Sequence, residues 1–445
     1  MESADLIIIG AGPGGYECAA KAAQAGLKVI IIEKKEVGGT CLNEGCIPTK
    51  CLCRSAEVME VARQAKTFGI LTGEVKADWA QIIARKDAVV SQLVSGIHML
   101  LKSPQIHLVQ GESRFVDAHT LAVGDALYTA PKIIIATGSV TKFLQIEGAH
   151  AAGVLTSTDL LQAASQPASL CVIGGGVIGL EFASIFQTLG TQVSVVEYCK
   201  EILPNFDSEL AKRLRMSLKK KGIVFKTGAA VRSIVSTPDG LTVGYEEKGK
   251  TDSLSAERVL MAVGRAANVG ALNLDDVGIA YTPRGINVDE HMQTNVPGIY
   301  AVGDVNGLCQ LAHAATFQSY KVLNHILGKT DGIRLDIVPA AVFTTPELAS
   351  VGLTEEQCKA NGLSCKVHKA FYRANGKALA MGEDEGLVKA ITDENGLLLG
   401  MHIMGAHAAD LIHEAAAFMQ TGASLRQMQE MIHAHPTLSE LLASL

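Results

Sequence analysis

The chain has 445 residues, 48% of them hydrophobic and 19% charged, with a formal net charge of -6; this composition has material for several cores and excludes an intrinsically disordered chain. Acidic and basic residues are interspersed, so no basic stripe exists to neutralise a phosphate backbone and nucleic acid is not an expected partner. No stretch offers the roughly 20 mainly apolar residues of a spanning helix, the start carries no targeting pattern, and ten cysteines spread over this length do not make a disulfide scaffold.

The first element is a short apolar strand from Leu6, followed at once by Gly10, Gly12 and Gly15 in the spacing G-x-G-x-x-G, an alanine-rich helix closed near Gly26, and a β-branched strand ending on Glu33. Glycines at these positions permit a tight turn and close backbone approach, the helix start presents N–H groups to a pyrophosphate, and the acid accepts from ribose hydroxyls. The stretch from Val37 to Lys102 interrupts this unit with helical segments and the motif GGTCLNEGCIPTK, and the sheet is expected to resume at KIIIATGS, Lys132 to Ser139.

At Leu170 the opening pattern returns. Leu6, Ile9, Gly10, Gly12, Gly15, Glu17, Ala19, Gly26, Val29 and Glu33 recur as Leu170, Ile173, Gly174, Gly176, Gly179, Glu181, Ala183, Gly190, Val193 and Glu197, at a constant offset of 164 residues. One glycine fingerprint is weak evidence; two, each preceded by a strand, opening a helix and closing on an acid, imply two dinucleotide sites. Strand and turn signals alternate from Gly222 to Gly264, a last strand of the second unit is expected at LMAVGR (Leu260 to Arg265), and IYAVGD reads as a strand reaching Asp304. After Ile337 short strands mix with helices at Ala409 to Thr421 and Leu425 to Ile432, the pattern of a separate α+β domain.

Cys41 and Cys46, with four residues between them, lie just beyond the first acid. They read as a redox pair or as structural thiols; no second close pair with neighbouring histidines supplies a zinc set. Cys51 and Cys53 are expected to be small buried residues of the following helix. His435 precedes a proline, a context that by itself more often marks an extended loop histidine.

Taken together, the motif G-G-T-C-x-N-x-G-C-x-P-x-K, the two nucleotide fingerprints and the C-terminal H-P-T-x-x-E, here HPTLSE ending on Glu440, resemble the pyridine nucleotide-disulfide oxidoreductase family. The resemblance implies an α/β fold with two Rossmann-like dinucleotide-binding domains and a C-terminal α+β dimerisation domain: residues 1–142 binding FAD, 143–267 binding NAD, 268–334 completing the FAD site and 335–445 forming the dimer interface. It implies that FAD contacts Gly10, Gly12, Gly15, Glu33, Thr40, Lys50, Ala136, Thr137, Gly138, Asp304, Leu311 and Ala312. NAD would contact Gly174, Gly176, Gly179, Glu181, Glu197 and Gly264. By the same resemblance Cys41 and Cys46 form the redox disulfide, Cys41 exchanging with substrate and Cys46 facing the flavin. Lys50 would pair with the buried Glu181, and His435, oriented by Glu440, would be the acid-base catalyst of a homodimer.

Glu197 hydrogen-bonds a free ribose 2'-hydroxyl and repels a 2'-phosphate, and Tyr198 and Cys199 beside it bring no positive charge, so NAD is expected over NADP. This places the chain nearest the family members that oxidise dihydrolipoamide on lipoyl-bearing domains of multienzyme complexes, in the cytoplasm or mitochondrial matrix. A glutathione- or mercuric-reductase-like activity, or a non-catalytic redox sensor, are the other readings. Thr49 and Glu44 depart from the family's usual residues, and both could tune the redox potential.

Overall fold

A computed structural model describes Met1 to Leu445. Its backbone packing divides the chain into two compact units, the first formed by Met1–Cys51, Ile83–Lys142 and Gly264–Leu335, the second by Leu52–Ile82, Phe143–Val263 and Asp336–Leu445. Residues 52–82 thus group with the second unit, and the first resumes at Gly264.

In the first unit a five-stranded parallel sheet runs in the order Ile299–Ala301, Lys132–Ile135, Leu6–Ile9, Val29–Glu33, Ile106–Gln110. Leu6–Ile9 and Val29–Glu33 are buried along their whole length. An all-parallel sheet is covered on both faces, which is why these strands read as continuous apolar runs rather than alternating ones. The helix Pro13–Gln24 turns its alanines Ala19, Ala22 and Ala23 inward, and their small size lets it pack closely against the helix Ala312–Ile326.

The second unit repeats this plan: Arg258–Met261, Ser169–Ile173, Gln192–Glu197 and Val224–Thr227 form parallel neighbours in that order, with Val154–Leu155 at the edge. In each copy an antiparallel three-stranded meander lies between the third and fourth strands, Ser113–Thr129 in the first and Ala229–Ala256 in the second. The copies differ in the crossover after the acid. The second carries one helix, Ser208–Lys220, where the first inserts Gly39–Glu44, Cys46–Gln64 and Trp79–Leu100.

The C-terminal segment forms a five-stranded antiparallel sheet ordered Ala340–Val342, Glu347–Gly352, Leu398–Gly405, Leu387–Thr392, Lys366–Phe371. The helix Ala408–Thr421 buries Leu411, Ile412 and Ala415 in the same core as Val351, Ile403 and Met401.

Four expected elements are shorter than the sequence suggests; the helix expected over Leu425 to Ile432 stops at Glu430. The strand toward Asp304 stops at Ala301, because Gly303 at φ +75° breaks the extended backbone and Gly303–Asn306 coil into a 3-10 turn. The strand from Lys132 ends at Ile135, ahead of Gly138 at φ +70°. The strand expected over Leu260 to Arg265 lies earlier, at Arg258–Met261.

Candidate active site

In each parallel sheet the first and fourth strands are neighbours whose onward connections leave in opposite directions, and the crevice at their C-terminal ends is where open α/β sheets bind ligands. In the first unit Gly10 follows the first strand at φ +101°, and a Cβ there would stand 2.4 Å from the Ala136 carbonyl oxygen. A Cβ on Gly15 would stand 1.9 Å from the Gly10 carbonyl oxygen, so both positions exclude any side chain. Gly12 is the N-cap of the helix Pro13–Gln24, with no side-chain cap and no acid in the first turn. Its Cβ position meets nothing nearer than Gly39 Cα at 3.9 Å, which leaves room for a phosphate against the helix start.

Glu33, at the end of the second strand, is buried; its Oε2 accepts the Ala11 N–H at 2.7 Å and its Oε1 the Lys35 N–H at 2.8 Å. The carboxylate is thereby held at the crevice edge with lone pairs left for further donors. The Ala136–Gly138 turn after the fourth strand is clamped by Asn268, whose N–H donates to Gly138 O at 3.0 Å while Thr137 Oγ1 donates to Asn268 O at 2.8 Å.

The second crevice reproduces the glycine contacts and the bonds to the acid. Gly174 lies at φ +108° with a Cβ position 2.3 Å from Ala262 O, and the Gly179 Cβ position falls 2.1 Å from Gly174 O. Gly176 is the uncapped N-cap of Val177–Leu189, with open space where its Cβ would be. Glu197 accepts from Gly175 N at 2.5 Å and Cys199 N at 2.6 Å, the counterparts of Ala11 and Lys35. Glu181 is buried in the helix, its Oε1 accepting the Phe343 N–H at 3.0 Å. Gly264 begins the returning part of the first unit, its carbonyl accepting from Lys142 N at 3.0 Å. Both crevices therefore fit a dinucleotide.

The cysteine motif follows directly on Glu33. Gly38 at φ +98° and Gly39 at φ +59° turn the chain into the short helix Gly39–Glu44, placing Cys41 on it and Thr40 on its exposed side. Gly45 breaks that helix, and Cys46 is the first residue of Cys46–Gln64, where the helix dipole favours negative charge. Pro48 falls in the first turn, where a missing N–H costs nothing. The two thiols are not joined in a disulfide and lie within hydrogen-bonding reach of each other. The bond to Cys46, together with burial, pushes the Cys41 thiol well above its ordinary value, against the opposing pull of the nearby Lys50 ammonium. Cys51 and Cys53 are buried, and Cys53 Sγ reaches Phe343 O at 3.4 Å.

Asp304 stands past the last strand of the first sheet, where its Oδ2 accepts the Ser139 hydroxyl at 2.5 Å. Arg265 donates from Nε to Ser139 Oγ and from Nη2 to Ser139 O, both at 2.7 Å. Burial lowers the Arg265 guanidinium, and the charges of Asp304, Glu44 and Cys46 act in the opposite sense. Leu311 is the N-cap of the helix that starts at Ala312, so both backbone ends sit where that helix begins.

In the second unit, His435 Nδ1 contacts Glu440 Oε1 at 2.9 Å, and the other carboxylate oxygen accepts the Thr437 N–H at 2.9 Å. The Thr437 N–H and His435 hold the Glu440 carboxyl below its usual range. A carboxylate on one ring nitrogen leaves the other free to exchange a proton, and the His435 side chain is 81% exposed.

Family models match nearly the entire chain: "Pyridine nucleotide-disulphide oxidoreductase" over residues 4–319 and the dimerisation domain of the same family over 338–445. The chain belongs to the pyridine nucleotide-disulphide oxidoreductase family. It is 39% identical to a dihydrolipoyl dehydrogenase of Bacillus subtilis, covering 98% of this chain and 96% of that protein. It is 40% identical to the mitochondrial dihydrolipoyl dehydrogenase of Pisum sativum, over 98% and 90%. Among solved structures, the HOCl-induced flavoprotein disulfide reductase of Escherichia coli matches with a TM-score of 0.89 at 30% identity, covering 99% of both chains.

As a disulfide oxidoreductase of this family, the protein carries two features that its sequence motifs do not announce. Arg265 was legible only as part of a V-G-R segment, and nothing in it announces the contact with Ser139 or the proximity to Cys46. His433 has no carboxylate at a matching spacing in the sequence. Its nearly buried ring takes one from another helix, Nε2 meeting Glu414 Oε1 at 2.8 Å with Nδ1 at 3.0 Å from Met431 O, and so pins the backbone that presents His435.

Proposed function

We propose that this protein is a dihydrolipoyl dehydrogenase that oxidises dihydrolipoamide on lipoyl-bearing protein domains of a multienzyme complex, using FAD in the first crevice and NAD in the second. The observation carrying the reading is a dithiol placed immediately after the acid of one of two matching dinucleotide crevices. Dihydrolipoyl dehydrogenases are also the relatives matched at 39% identity along nearly the whole chain. Residues 1–142 and 268–334 would hold FAD, 143–267 NAD, and 335–445 the interface of a homodimer.

In the oxidised enzyme Cys41 and Cys46 form a disulfide. A dihydrolipoamide thiolate attacks Cys41 sulfur and releases the Cys46 thiolate; the second substrate thiol displaces Cys41, leaving cyclic lipoamide and the dithiol. The partner subunit's His435 takes the substrate proton, Glu440 holding that ring in one tautomer; the exposure of His435 in the single chain supports a role toward a second copy. Cys46 at its helix start is the thiol placed to carry negative charge, and Lys50 and Arg265 supply positive charge around the pair. When bound, FAD supplies a two-electron acceptor for the dithiol, and NAD the final hydride acceptor. Glu33 and Glu197 fix ribose hydroxyls, and Glu197 sets the preference for NAD.

A cytoplasmic or mitochondrial-matrix location follows the same reading, since the relatives include bacterial proteins and a mitochondrial one. The flavoprotein disulfide reductase likeness favours a second reading, a reductase of another small disulfide. Assaying the purified protein with dihydrolipoamide plus NAD, and with NADPH plus oxidised glutathione, separates them: the higher catalytic efficiency belongs to the first pair, and failure with dihydrolipoamide sinks the proposal.

A further inference from the structure

A second pair of thiols lies in the C-terminal segment, far along the chain from the redox motif. Cys358 sits on the inner side of the short helix Glu355–Ala360 and is fully buried. The helix ends at Asn361, the chain reverses through Gly362 at φ +68°, and the Leu363 N–H donates to Cys358 O at 2.9 Å. This folds the following residues back along the helix and returns Cys365 to Cys358. Lys366, next in the chain, opens a strand whose register is set opposite Thr392. Cys358 is thus held on a helix, and Cys365 immediately precedes the strand. Both are free, and their thiols lie within hydrogen-bonding reach of each other.

We propose that Cys358 and Cys365 form a second, reversible disulfide within the chain, made by exchange with a low-molecular-weight disulfide and independent of Cys41 and Cys46. Cys365 is the half-buried member and the one an external disulfide can reach, with the Lys359 ammonium close enough for the two charges to interact. Its thiolate attacks one sulfur of the external disulfide, forms a mixed disulfide and expels one small thiol. Cys358 then loses its proton, attacks the Cys365 sulfur and expels the second small thiol. Two protein thiols are oxidised and one disulfide is reduced to two thiols, so atoms and electrons balance. Burial and the neighbouring thiol raise the Cys358 pKa, which suits it to the second step, where proximity replaces thiolate population. The product ties the helix Glu355–Ala360 to the edge strand Lys366–Phe371.

The test uses the holoenzyme exposed to oxidised glutathione, blocked with iodoacetamide and digested with trypsin without reductant. Trypsin cuts after Lys359 and Lys366, so the cysteines fall on two peptides, one ending at Lys359 and the other spanning Ala360 to Lys366. The expected product is the two peptides joined, lighter than their combined mass by the two thiol hydrogens, separated by dithiothreitol, and obtained from protein that runs as a single chain on a non-reducing denaturing gel. The variant Cys365→Ser yields no joined pair, while Cys41 and Cys46, both within Glu36 to Lys50, report their own disulfide as an internal control. Recovery of the two peptides separately, alkylated or each carrying glutathione, overturns the proposal, as does a link found only between chains.

Discussion

Glu440 grips His435 by Nδ1 at 2.9 Å, and is itself steadied by the Thr437 N–H at the same distance. The ring is thus oriented by a carboxylate that the backbone holds in place, although the histidine projects into solvent. Replacing the base by His435→Gln should lower kcat by about 10²- to 10⁴-fold, the range for loss of a positioned acid-base group. Glu440→Gln should lower it less, because the imidazole remains while its tautomer is no longer held. Steady-state turnover, with circular dichroism to confirm folding, checks both; a kcat within twofold of wild type for His435→Gln would remove the histidine from the mechanism.

Cys46→Ser and Cys41→Ser should each abolish oxidation of dihydrolipoamide while leaving the nucleotide crevices intact, since no glycine or acid of either fingerprint changes. Flavin absorbance of the purified variants and their turnover separate the two effects. Normal turnover in either variant contradicts the dithiol assignment.

The matching glycines allow one crevice to be damaged at a time. In Gly15→Ala the new methyl meets the Gly10 carbonyl oxygen at 1.9 Å, and in Gly179→Ala it meets the Gly174 carbonyl oxygen at 2.1 Å. Overpacking of this kind costs about 1–3 kcal/mol. Gly15→Ala should lose flavin on purification, whereas Gly179→Ala should keep it and show a raised KM for NAD. Equal flavin loss in both would refute the division of the two cofactors between the crevices.

Stability in acid should depend on Glu355. Its carboxylate accepts from Lys359 at 2.7 Å and from the buried Lys389 at 2.9 Å; Lys389 also bonds Asp207 at 2.8 Å. The bonds to Lys359 and Lys389 pull the Glu355 carboxyl from 4.5 to about 2. A carboxyl depressed in the folded state contributes stability that is fully present above the unfolded value and lost as pH falls through the folded one. Glu355→Gln should therefore melt below wild type at neutral pH, with the gap closing between pH 4.5 and about 2. Thermal melts across that range decide it; a gap independent of pH would show that the ion pairs contribute nothing.

Much of the site was legible in the residue string because its contacts are local to one strand-turn-helix-strand unit. Ala11 and Glu33 bond at the same separation in sequence as Gly175 and Glu197, so an offset of 164 residues carries the geometry from one copy to the other. The pairing of His435 with Glu440 is likewise a contact within a single turn. The strand ends are not legible where a glycine with positive φ, Gly303 or Gly138, stops an apolar run that composition would continue.

The two dinucleotide folds, the cysteine pair and the imidazole-carboxylate pair are legible in the residue string, since each is written in glycines, cysteines and acids at short fixed spacings that the backbone must obey. That Arg265 holds Ser139 beside Asp304, that Glu414 takes His433, and that Cys365 returns to Cys358 follows only from the folded arrangement. Contacts between distant elements depend on how strands order themselves in a sheet and how a loop folds back. Those outcomes are selected by the packing of whole apolar faces, and no short motif encodes them.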